Sequence, residues 1–124
     1  MDESHGLPPL LHAVGLVGEE AAEVVKEVFK ISRFGLYDIN PKTLQTNLSS
    51  LQGEITDLVA VIRVLNLELI AQGHPPISLG DEAAIEEKIQ KIRLYGLRSL
   101  INRTLESPLQ VMPPQTYSYP FPHP

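Results

Sequence analysis

Apolar positions recur at helical spacing in three long segments of this chain, separated by proline and glycine. In the first, Leu10, Val14, Val17, Ala21, Val24, Val28 and Ile31 follow one another in alternating steps of four and three residues. That alternation draws one continuous stripe along a helix. Pro8 and Pro9 suit its start and Gly35 its stop. The second stripe is Leu48, Leu51, Ile55, Leu58, Ile62, Leu65 and Leu69. It predicts a helix from near Pro41–Lys42 to Gln72, ended by Gly73 and His74-Pro75-Pro76. The third helix is expected to open at Ser78-Leu79-Gly80-Asp81, where a serine with an acid three residues on resembles a capping box. It continues through Ile85, Ile89, Ile92 and Leu100 to about Leu105, with Gly96 a weak point. No strand and no internal repeat emerges.

The expected fold is therefore all-α, an antiparallel helical bundle of three to four main helices. Amphipathic helices of this length do not fully bury their stripes alone. The bundle is expected to be completed by oligomerisation, as a homodimer or a tetramer built from two dimers. Residues 1–106 form the expected domain. Residues 107–124 carry Pro108, Pro113, Pro114, Pro120, Pro122 and Pro124, which rules out helix and central strand. This tail is expected to be extended or disordered.

Composition narrows the function. A chain of 124 residues, 43% hydrophobic, fits one domain with a modest core. No apolar run reaches the roughly 18 uncharged residues of a membrane span, and no basic stretch leads into an apolar segment at the N-terminus. Cysteine is absent, which excludes disulfides, thiolate catalysis and cysteine-based zinc sites. The expected location is cytoplasmic. A net charge of −5 argues against binding a nucleic acid polymer, which needs a basic surface. An acidic protein can still act on a smaller polyanion if a divalent cation lies between them.

The acidic residues cluster. The first helix holds Glu19, Glu20, Glu23 and Glu27, with Lys26 nearby. Glu20 and Glu23 are about 60° apart and one turn along, and Glu27 falls on the same side, at the flank of the stripe. The second helix holds Glu54 and Asp57 at the same three-residue spacing, again beside its stripe. Like charges so placed repel, the more so where a helix seam is partly dry. A cation removes that cost, and Mg²⁺, with Mn²⁺ as a substitute, prefers hard oxygen ligands. The plain alternative is a solvated acidic face. Di-iron bundles are excluded, because no Glu has a His three residues later; His12 and His74 stand alone. No Walker-type phosphate loop and no Gly-x-Ser-x-Gly elbow is present.

Glu20-Ala-Ala-Glu23, followed by Glu54-Ile-Thr-Asp57, resembles the E-x-x-E … E-x-x-D signature of the MazG-like, all-alpha NTP pyrophosphatase superfamily. The surroundings agree: Gly15 to Val24 is similar to that family's first metal helix and Leu51 to Val59 to its second. Lys88-Ile89-Gln90-Lys91-Ile92-Arg93 is similar to its later basic segment. The likeness spans about residues 10 to 95. Thirty residues lie between Glu23 and Glu54, long for the family, which points to an extended loop around Gly35–Pro41. The aromatic residue often found after Asp57 is missing.

The resemblance implies hydrolysis of a nucleoside triphosphate to monophosphate and pyrophosphate. Glu20, Glu23, Glu54 and Asp57 would hold Mg²⁺, and Glu23 would double as general base. Lys88, Lys91 and Arg93 would meet the departing pyrophosphate, with Lys30 and Lys26 weaker candidates. His12 and Leu16 would contact the base, between the first helix and a partner subunit. Glu27 is either a supporting residue behind the metal or an exposed one. Two other readings use the same helices: a non-catalytic interaction protein, and a nucleotide-binding sensor without turnover.

Overall fold

The structure, a computed structural model, describes residues 6–112. It consists of three helices, α1 (Pro9–Phe34), α2 (Asn47–Ala71) and α3 (Glu82–Ile101), with no strand among the described residues. The fold is all-α. Two compact units divide between Ile77 and Ser78, with α1 and α2 in the first and α3 in the second.

α1 begins where the prolines predict it. Pro8 precedes the helix, Pro9 takes a first-turn position whose amide would be unsatisfied anyway, and the His12 amide closes the turn on the Pro8 carbonyl at 3.0 Å. It stops at Gly35, whose φ of 93° is open only to a residue without Cβ and whose amide donates to the Ile31 carbonyl at 2.8 Å.

α2 starts at the head of its stripe, later than the expected Pro41–Lys42. Residues 41–43 are a turn, and Thr46 is the N-cap, its hydroxyl accepting from the Ser49 amide at 3.1 Å. Asn40 caps a single turn, its side chain accepting from the Lys42 amide and its carbonyl from the Leu44 amide at 2.8 Å each, and Leu44, at φ 60°, keeps that turn from running on into α2. An isolated bridge between Ile39 and Thr46 closes the loop. Asn47, only 5% exposed, clamps it to α1 by donating from Nδ2 to the Gly35 carbonyl at 2.9 Å. The end of α1 and the start of α2 are thus tied together, and the two helices pack side by side as an antiparallel hairpin.

The end of α2 is a Schellman motif: His74 N–H reaches the Leu69 carbonyl and Gly73 N–H the Ile70 carbonyl, with Gly73 at φ 80°. Beyond it, Asn66 both donates to and accepts from the Ile77 backbone, at 2.9 and 2.7 Å, which folds the 74–77 strip back along α2.

In the second unit the cap is Asp81, which accepts from the Ala84 amide at 3.1 Å, and not Ser78. The Ser78 hydroxyl instead takes the Gly80 amide in a local turn. α3 ends at Ile101, four residues earlier than the pattern suggests, because Arg103 adopts φ 62° and closes a second Schellman motif on Ser99 and Leu100. Gly96 does not weaken the helix. It lies buried in mid-helix, and a Cβ there would come within 3.0 Å of Met112 Sδ and 3.1 Å of a Leu109 methyl. The missing side chain lets the 107–112 segment pack onto α3, where Met112 is buried. The rest of the proline-rich tail, from residue 113, lies outside the described residues.

Candidate metal centre

Which face α1 turns to α2 decides what becomes of the acids. The buried and half-buried positions of α1 are Leu10, Ala13, Leu16, Val17, Glu20, Ala21, Val24, Glu27, Lys30 and Ile31. Compared with the expected stripe, the seam is turned toward the acidic edge. Val14 and Val28, both expected inside, are 49% and 47% exposed, while Glu27 is only 5% exposed. The acids are thus not all on the flank: Glu20 and Glu27 lie in the seam, and Glu23 lies outside it. The buried and half-buried positions of α2 include Leu51, Leu58, Val61, Ile62, Leu65 and Leu69, together with the two carboxylates Glu54 and Glu68.

This arrangement brings Glu20, Glu54 and Asp57 together. One carboxylate oxygen of each lies within 4.8 Å of those of the other two. Glu20 and Glu54 are half-buried and Asp57 is exposed, so the group opens to solvent at one end. Two oxygens bound side by side to one Mg²⁺ lie about 3 Å apart, which small side-chain rotations reach from here. Glu23 is not one of the three. Its side chain is 48% exposed and pairs loosely with Lys26 at 4.0 Å. Glu19 is exposed as well.

The cluster is under electrostatic load. Partial burial pushes the Glu54 carboxyl above its ordinary value, and the charges of Asp57, Glu23, Glu20 and Glu27 push it the same way. A carboxyl with a raised folded-state pKa binds its proton more tightly in the folded than in the unfolded protein. Its proton-linked contribution to stability is therefore full below the unfolded value and is lost as pH rises through the folded one. In chelator, the melting temperature attributable to this group is expected to fall as pH rises through the carboxylate range. Glu54→Gln should flatten that fall and melt no lower than wild type at neutral pH. Thermal melts from about pH 4 to about pH 8, a range that brackets the carboxylate titration, decide this. A Gln variant with the wild-type slope would remove Glu54 as its source.

The cations are distributed unevenly. Lys30, half-buried, is held to Glu27 at 3.2 Å and is not free for a substrate in this arrangement. Lys88, Lys91 and Arg93 belong to α3, in the other unit. There Lys91 pairs with Glu87 at 3.8 Å, and Arg93 donates from Nη1 to the Gln90 amide oxygen at 3.2 Å. His12 is exposed near the start of α1, and Leu16 is half-buried. A separate open groove of about 450 Å³ runs along α2, lined by Gln52, Ile55, Thr56, Val59, Ala60 and Arg63, and includes none of the carboxylates.

Burial of Glu27 was the feature least visible in the sequence. The one signal was its seven-residue step from Glu20, which returns to nearly the same side of a helix two turns along.

No family model, no curated protein and no solved structure matches this chain.

Proposed function

We propose that this chain is a magnesium-dependent nucleoside triphosphate pyrophosphohydrolase of the MazG-like kind, cleaving between the α- and β-phosphates. The observation that carries the reading is the convergence of Glu20, Glu54 and Asp57, from two helices, on one point of a partly dry seam. Three carboxylates so close repel one another unless a cation joins them, and a hard all-oxygen donor set suits Mg²⁺ or Mn²⁺. These three would hold the ion. When bound, such an ion neutralises phosphate oxygens and acidifies a coordinated water.

The chain's own residues would do the rest. Glu23, beside the cluster but outside it and only loosely paired with Lys26, would take the proton of the attacking water as general base. Glu20 and Glu54, both half-buried, set the position at which the phosphate chain meets the seam. Lys88, Lys91 and Arg93 are proposed to neutralise the leaving pyrophosphate, on the resemblance alone. His12 and Leu16 are proposed to contact the nucleobase on the same ground.

The functional unit is proposed to be a homo-oligomer. Among the described residues, the only buried apolar side chains of the first unit are Ala13 and Leu65. The edge of α1 turned away from α2 keeps Leu11, Val14, Val25, Val28 and Phe29 about half exposed or more. A second copy covering that edge would bury it without disturbing the acids.

The products test the chemistry. Attack at the α-phosphorus releases monophosphate and pyrophosphate, and chromatography of reactions with each common nucleotide and deoxynucleotide is expected to show that pair. Orthophosphate and diphosphate as first products would mean that the reaction is a different one. Nucleotide binding with no product at all would favour the sensor reading.

A further inference from the structure

Glu27 departs from the pattern of every other acid on α1. Its side chain is only 7% exposed, in contrast with the exposed Glu19 and Glu23, and it lies in the same seam as Glu20. One oxygen, Oε1, accepts from Lys30 Nζ at 3.2 Å. The other, Oε2, is buried and has no hydrogen-bond partner. A buried carboxylate oxygen without a donor is costly, and proteins rarely retain one without a use. It lies two turns along the seam from Glu20 and is not one of the three carboxylates whose oxygens all lie within 4.8 Å of one another, but its negative charge adds to theirs at Glu54. Lys30, meanwhile, is a third exposed and hangs on a flexible four-carbon stem, so its ammonium can leave Glu27 for water with little rearrangement.

We propose that Glu27 is a further carboxylate of the cation site, and that Lys30 is its internal competitor, neutralising it until a divalent cation takes over that task. The inference rests on reading Glu20, Glu54 and Asp57 as a cation site. It extends that site along the seam with a residue outside the E-x-x-E … E-x-x-D pattern. The free oxygen Oε2 receives either the ion or a water bound to it. Lys30 is released as the ion enters, which leaves a cation beside the site for a phosphate oxygen.

A purely structural Glu27–Lys30 pair and a cation-site Glu27 give opposite answers to one measurement. Mn²⁺ is titrated calorimetrically into the full chain without nucleotide, in wild type and in the Glu27→Gln, Lys30→Met and Glu54→Gln variants. Glu27→Gln is expected to weaken Mn²⁺ binding by about tenfold or more, within the range typical of residues that support a metal site. Lys30→Met is expected to tighten it several-fold, because the competing charge has gone. A structural pair predicts unchanged Mn²⁺ affinity in both variants, with lower melting temperatures. That result, alongside loss of binding in Glu54→Gln, would overturn the role of Glu27 and leave the cation site standing. Absence of Mn²⁺ binding in wild type would overturn both. If Glu27→Gln fails to fold, Lys30→Met decides alone: tighter binding upholds the proposal, and unchanged or weaker binding ends it.

Discussion

Asp57→Asn is expected to reduce nucleotide turnover by about a thousandfold or more, since it removes a charge from the group that would neutralise the phosphates. The substitution keeps size and shape, and Asp57 is exposed, so the fold has little reason to change. Glu19→Gln removes the same charge from the same helix system, but Glu19 is exposed and outside the cluster, so near-normal activity is expected. The two variants differ in position and not in charge removed, which is why the pair separates a site from an acidic surface. Glu23→Gln adds a third category. If Glu23 is the base proposed above, outside the cluster, the change should lower kcat steeply while Mn²⁺ affinity stays near wild type. Equal, near-normal turnover in Asp57→Asn and Glu19→Gln would reduce the acids to a solvated face.

The second large effect is thermal. A cation bound by Glu20, Glu54 and Asp57 ties α1 to α2 and exists only in the folded hairpin. Binding therefore stabilises by mass action, by about 2.7 kcal/mol at a hundredfold excess over Kd. For a domain of this size each kcal/mol moves the midpoint by about 4–8 °C, so a rise of roughly 10–20 °C in saturating Mg²⁺ over chelator is expected. In Glu54→Gln most of that rise should vanish, even though the variant without cation melts no lower than wild type. Superimposable melts of the wild type in chelator and in Mg²⁺, with nucleotide absent and present, would leave the carboxylate cluster without a cation.

Much of the helical framework was legible because its signals are local. Pro9 at a first turn, Gly35 and Gly73 at positive φ, and apolar steps of three and four act over a few residues and need no distant partner. The errors were of the same local kind, where two signals compete. Asn40 does cap a turn at Pro41, but Leu44 at φ 60° ends it after that one turn, and Asp81 takes the cap from Ser78 because it stands one residue before the helical run. Gly96 read as a helix weakness because a sequence does not show that Leu109 and Met112 return to it.

The spacing of Glu20, Glu23, Glu54 and Asp57 determined that two helices each carry a pair of acids beside an apolar run. It could not determine which member of each pair faces the other helix. An amphipathic face wider than its partner can be rotated without changing a single helical step, and α1 has such a face, from Glu20 and Glu27 on one edge to Leu11 and Phe29 on the other. Only packing chose the rotation. It placed Glu20 and Glu27 in the seam, left Glu23 at its rim and turned Val14 and Val28 outward. Residue identities thus supplied the charges, and the rotation of α1 against α2 decided which of them share a site.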